Sequence, residues 1–268
     1  MKKIIIAVVV LLIAIGAISY FGSDKEVDVT GGNELRVGYI VFEPTVVVDA
    51  NTGELSGISY DIVEAVAKEL NMTTNWVEEV GWGTALEGLN TNRYDILGTQ
   101  MWPNDARERV ATFTIAPMDS VMYPYVKSGD TRFDANNLQT LNSSEVRISA
   151  IDGSMEVFVA AEDYPNAQLN ALPQLASFAE IFLNIVQDKA DVTFAEPSAA
   201  EGFLENNPGS IERLGDTPVR SFGNSFAVDK DNTELADAWN EALTKVMERG
   251  EIEEILKKYG AETHYSVN

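Results

Sequence analysis

The sequence predicts an α/β protein of two similar units. Strands and helices alternate along the first hundred residues, the rhythm restarts after Tyr123–Lys127, and two helical segments close the chain. In the first unit Leu35–Val41 reads as a strand. Tyr60–Leu70 follows as a helix, with Ile62, Val63, Val66, Ala67 and Leu70 on one face. Thr73–Val80 is a second strand, Thr84–Asn90 a short helix and Asp95–Met101 a third strand. The second unit repeats the plan: strand Val146–Ile151, helix Met155–Glu162, strand Gln168–Leu172, helix Phe178–Asp188 and strand Asp191–Ala195. Leu235, Trp239, Ala242, Leu243 and Val246 then recur at helical spacing, and a shorter helix, Glu251–Tyr259, follows Gly250. Alternation of this kind predicts mainly parallel sheets flanked by helices.

The chain begins Met1, Lys2, Lys3 and then runs apolar from Ile4 to Phe21, with Ala17 and Ser19 placed where a signal peptidase cuts. The run is roughly 18 residues, near the lower end of the ~17 to 25 that span a bilayer. It suits both a cleaved export signal (residues 1–22) and an anchor retained at the outer face of the cytoplasmic membrane. A polar tether, residues 23–33, follows, and about 235 residues remain for the folded part, enough for one large domain or two modest ones.

Composition removes much chemistry. The chain has no cysteine, which excludes disulfides, thiolate metal sites and a lipid-modified cysteine anchor, and His264 is its only histidine, which excludes histidine-based triads and multi-histidine zinc sites. No cofactor is implied. A formal net charge of -23, from 42 acidic against 19 basic residues, makes nucleic acid an improbable partner. A solvated, self-repelling surface accounts for that acidity without reference to any ligand.

The stretch GELSGISYDIVEAVAKELN, Gly53–Asn71, is similar to the first β-hairpin and helix of solute-binding protein family 3, the amino-acid receptors of ABC importers. The resemblance continues through WGTALEGL from Trp82, NRYDIL at Asn92–Leu97, RERVATFT at Arg107–Thr114, IDGSME at Ile151–Glu156 and KADVTFAEP at Lys189–Pro197. It ends with FAVDKDNTEL and MERGEIEEILKKYG, so that it spans about residues 34 to 260. It implies a two-lobed fold of the periplasmic binding protein type, with lobe 1 from residues 34–119 plus 220–268, lobe 2 from residues 120–219, and two crossover strands near Tyr123–Tyr125 and Arg220–Gly223. It implies an exported protein that closes on a small zwitterion, an amino acid, and presents it to ABC permease subunits, with no catalysis.

A dry cleft for an amino acid needs a charge-assisted donor for the carboxylate and a carboxylate for the ammonium. The resemblance assigns these to Arg107, twelve residues after Asp95, with Arg109 as nearby competitor, and to Glu196, where relatives commonly carry aspartate. Gly153 and Ser154 precede a helix whose first free N–H groups face an anion well, with Ser154 as ligand contact or N-cap. Met155 stands where relatives often have a hydroxyl. Trp102 stands where a small hydroxyl residue usually helps bind the carboxylate, and it either lines the cleft or packs structurally. Phe42, Trp82 and Trp102 together make an aromatic wall suited to an apolar, aromatic or cationic side chain. Glu43 and Gln100 are expected at the rim. Two other functions remain open: a dehydratase of cyclic carboxylates on the same scaffold, with Glu196 as general acid but no evident second proton-transfer group, and a membrane-tethered sensor or scavenger without an importer.

Overall fold

A computed structural model describes residues 32–268; the proposed export segment Ile4–Phe21 and most of the tether lie outside them. Among the described residues no helix is long and apolar enough to cross a membrane.

Two three-stranded parallel units of the same plan are present. In the first, β1 (Glu34–Tyr39) pairs with β4 (Thr73–Glu79) on one side and β5 (Ile96–Met101) on the other, with α1 (Ile58–Glu69) and α2 (Ala85–Asn90) as crossovers. A two-stranded hairpin, β2 (Val47–Val48) and β3 (Leu55–Ser56), precedes α1. In the second unit β8 (Arg147–Ile151) lies between β9 (Gln168–Leu172) and β10 (Val192–Ala195), joined by α4 (Met155–Asp163) and α5 (Phe178–Val186). The remaining helices are the single turn α3 (Asp105–Glu108), α6 (Pro197–Asn206), α7 (Thr233–Glu248) and α8 (Glu251–Lys258).

Two ten-residue strands, β7 (Met118–Lys127) and β12 (Arg220–Asp229), connect the units. They pair antiparallel with each other from Arg220↔Met122 to Asn224↔Met118. Beyond that stretch they diverge: β12 turns onto β5 through Ser225–Val228, and β7 turns onto β10 through Tyr123–Val126. The path is β4-β1-β5-β12-β7-β10-β8-β9, with the short strands β6 (Ala111–Phe113), β11 (Ile211–Arg213) and β13 (Tyr265–Val267) attached beside it.

Helix placement follows the apolar stripes. α1 buries Ile58, Ile62, Val63, Val66 and Ala67, and α7 buries Leu235, Ala236, Trp239, Ala242, Leu243 and Val246, together covering one face of the first unit. α5 starts at a reciprocal Ser177–Glu180 capping box and buries Ile181, Phe182 and Ile185 in the second unit. Separate apolar cores thus lie in the two units, and Trp102, which follows β5 of the first, packs into the core of the second. β7 and β12 are thus the strands shared by both units.

Candidate functional site

A cavity lies between the units where β7 and β12 meet. Its walls include Phe42, Trp82, Gln100, Trp102, Arg107, Ser154, Met155 and Glu196 from the sequence reading, with Glu156, Phe178, Asn224 and Tyr265 in addition. The volume is about 30 Å³, room for roughly two waters. An amino acid needs more room than this.

Arg107 is placed by the single turn α3, where Asn104 Oδ1 accepts from the Arg107 backbone N–H at 2.9 Å. The side chain is 6% exposed. Its Nη1 donates to the Trp102 carbonyl at 2.6 Å, its Nη2 donates across the cleft to the Gly153 carbonyl at 3.1 Å, and its Cζ lies 5.3 Å from the centre of the Phe158 ring. Burial lowers its pKa to about 10, which still leaves it charged at neutral pH. Its donors meet backbone carbonyls only, with no ion pair among the described residues. Arg109, the competitor, is exposed.

Glu196 ends β10 and begins α6, 7% exposed. Oε1 accepts from Ser120 Oγ at 3.2 Å and Oε2 from Tyr265 Oη at 3.1 Å. Burial, with Glu156 nearby, raises its pKa to about 7 despite those two donors. Glu156 itself is 2% exposed, and burial raises its pKa to about 7 as well. Ser154 Oγ has one proton and two neighbours, the Ile151 carbonyl at 2.6 Å and Glu156 Oε2.

Glu43 and Gln100 do not stand at the cavity rim as expected. Glu43 is exposed and does not reach the cavity. Gln100 is in the buried wall, not at the rim, and each end of its amide has one partner: Nε2 donates to Asn224 O at 3.0 Å and Oε1 accepts from Ser59 Oγ at 3.1 Å. The Ser154 side chain makes no cap to its helix. The expected aromatics Phe42, Trp82 and Trp102 all line the cavity, and Phe178 joins them, with Phe42 centred 5.8 Å from Trp82 and 4.5 Å from Phe178. Trp102 lines the cavity yet stacks on Phe222 at 4.4 Å, and its Nε1 donates to Asn224 Oδ1 at 2.6 Å.

Glu156 and Tyr265 are the main omissions. Glu156 was legible in principle, since it shares a helical face with Val159 and Ala160, and an acidic residue on an apolar face signals a buried charge. Tyr265 had no local signal. It reaches Glu196 because β13 pairs with β7, Tyr265 opposite Ser120, bringing together residues far apart in sequence.

The model of bacterial extracellular solute-binding proteins, family 3, matches residues 35–262. The chain belongs to that family. It is 26% identical over 211 residues to a probable histidine-binding protein of Campylobacter jejuni, covering 78% of each chain. An ancestral arginine-binding protein bound to arginine superposes with a TM-score of 0.73 at 22% identity, covering 85% of this chain and 98% of the other. The ancestral amino acid-binding protein AncCDT-1, a precursor of cyclohexadienyl dehydratase, superposes with a TM-score of 0.74 at 22% identity, covering 88% and 99%. The family match ends before Tyr265, so the tail contact to Glu196 lies beyond it.

The two raised carboxyls give a pH prediction. Each folded-state pKa exceeds the ordinary value of 4.5, so the fold retains protons that the unfolded chain releases. Their contribution to stability is full below about pH 4.5 and is lost as pH rises through about 7. The ligand-free protein is expected to melt a few degrees lower at pH 8 than at pH 6, and Glu156→Gln should shrink that difference. An unchanged pH dependence in the variant, measured by calorimetry, would contradict the assignment.

Proposed function

We propose that this protein captures an amino acid by closing its two lobes, residues 34–119 plus 220–268 and residues 120–219, and presents the closed form to the permease of an ABC importer outside the cytoplasm. The observation that carries the reading is a buried guanidinium and a buried carboxyl, neither ion-paired, on the walls of one cavity. Unpaired buried charges are costly, and a zwitterion offsets both at once: its carboxylate takes the free Arg107 donors and its ammonium takes Glu196. Arg107 and Trp102 come from lobe 1, Ser154, Met155 and Glu196 from lobe 2. The ligand's full contact set therefore forms only on closure, and that differential free energy shifts the open-closed equilibrium. Phe42, Trp82 and Phe178 face the ligand side chain. The names of the histidine-binding relative and of the arginine-bound structural neighbour support the same ligand class. The N-terminal apolar segment supplies export, and attachment to the membrane where it is retained.

The presence of Glu156 beside Glu196 favours one second reading. A dehydratase needs a proton-transfer pair, and the sequence suggested Glu196 alone, whereas two carboxyls with pKa near 7 line this cavity. One experiment separates the readings: a thermal-shift screen of the common amino acids, betaines and polyamines, with parallel product analysis after incubation with prephenate or arogenate. A ligand at a hundred times its Kd adds about 2.7 kcal/mol, so a rise of several degrees is expected for at least one amino acid, with no product formed. Product without any amino-acid shift would reverse the conclusion.

A further inference from the structure

Asn224 ends the paired stretch of β12 and β7 and stands on the cavity wall, 5% exposed. Its orientation is determined by chemistry. Trp102 Nε1 lies 2.6 Å from Oδ1, and an indole nitrogen only donates, so that end of the amide must be the oxygen. Ser120 Oγ lies 3.2 Å from the same oxygen and has one proton, which it gives either to Asn224 Oδ1 or to Glu196 Oε1. The indole cannot easily swing away, because its ring lies nearly parallel to Phe222 at 19°. The other end of the amide, Nδ2, is therefore held in place, and it is buried with no hydrogen-bond partner among the described residues. A buried donor held in that state needs an acceptor.

We propose that Asn224 Nδ2 donates to a carboxylate oxygen of the bound ligand, with Trp102 as the positioning residue that fixes the amide. The inference rests on reading the cavity as an amino-acid site. Of the two charged ends of a zwitterion only the carboxylate accepts a hydrogen bond, which selects it as the partner of Nδ2. The arrangement fits an α-amino acid head group. Ser120 Oγ is 3.2 Å from both Glu196 Oε1 and Asn224 Oδ1, so the ammonium acceptor and the carboxylate donor are neighbours. Trp102 serves both carboxylate donors: its carbonyl accepts from Arg107 and its indole donates to Asn224. A bulky residue thus occupies the place of a small hydroxyl, and the donor it displaces is supplied by the neighbouring strand.

The test is calorimetric titration of L-arginine, L-histidine, L-glutamine and L-cystine into wild type, Asn224→Ala, Asn224→Asp, Trp102→Phe and the Trp102→Phe/Asn224→Ala double variant. For the best-binding probe, Asn224→Ala is expected to raise Kd at least tenfold. Asn224→Asp, which sets a carboxylate against a carboxylate, should raise it more than a hundredfold. Trp102→Phe keeps the ring and removes the N–H; it should weaken binding three- to tenfold alone and add nothing in the Asn224→Ala background. Additive effects would mean that Trp102 acts only through packing, and both Asn224 variants binding within twofold of wild type would overturn the proposal. Should Trp102→Phe fail to fold, the Ala and Asp variants decide it. A folded wild type that binds none of the probes overturns the amino-acid reading, and this inference with it.

Discussion

Replacing Arg107 with alanine is expected to weaken amino-acid binding by more than a hundredfold while the melting temperature of the ligand-free protein changes by only a few degrees. Hydrogen bonds to a charged partner contribute about 1.5 to 3 kcal/mol each, and a guanidinium can place two on one carboxylate. Loss of both, in a site almost without solvent, accounts for the magnitude. Stability should respond less, because Arg107 makes no ion pair within the protein. Removing it relieves a buried charge that has no ion-pair partner, and forfeits the attraction of Glu156, two bonds to backbone carbonyls and the contact with Phe158. Arg107→Lys retains the charge without the planar fork and should recover only part of the affinity. Titration calorimetry beside differential scanning calorimetry measures both quantities; a Kd within threefold of wild type for the alanine variant would remove the carboxylate assignment.

Local signals carried most of the fold. The apolar stripes of α1, α5 and α7 and the short strands β5 and β10 show in the sequence because burial imposes helical spacing or a continuous apolar run. α6 was invisible for the same kind of reason. It opens with Pro197 and contains Gly202, which read as breakers, although proline is favourable in the first turn of a helix, and its buried positions Ser198, Ala200 and Phe203 make too mixed a stripe to stand out. Arg107 and Glu196 were singled out by the family resemblance, which places each a few residues after a matching strand, and not by any local pattern of their own. The partners that determine their behaviour were not: Tyr265 meets Glu196 from 69 positions away and Asn224 meets Trp102 from 122. Contacts of that separation depend on how β7, β12 and β13 pair, and no local pattern encodes them.

Closure itself can be blocked without touching the ligand's charged groups, and Gly153→Ala is expected to do so. Gly153 has φ +82°, where a side chain is strained, and it faces the loop after β4 across the cleft mouth. A Cβ there would lie 2.4 Å from both the Cα and the N of Gly83 and 2.9 Å from the Trp82 carbonyl carbon. All three are backbone atoms, so no rotamer change relieves the clash; the units must remain apart, and the Arg107–Gly153 bond that spans them is lost. Affinity should fall more than a hundredfold, and small-angle scattering should show no ligand-induced contraction in the variant where wild type contracts. Gly83→Ala supplies the contrast. The three atoms nearest its Cβ would all belong to the side chain of Gln174, Nε2 first at 2.6 Å, and a flexible amide can move aside. That variant should bind within about tenfold of wild type and still contract. If Gly83→Ala proved as damaging as Gly153→Ala, the mouth would be sensitive to any added volume, and closure would depend on the general fit of the two loops. If only Gly153→Ala fails, the limit is the backbone approach of Gly83 to Gly153, and the glycine at the start of α4 is there to let the second lobe reach the first.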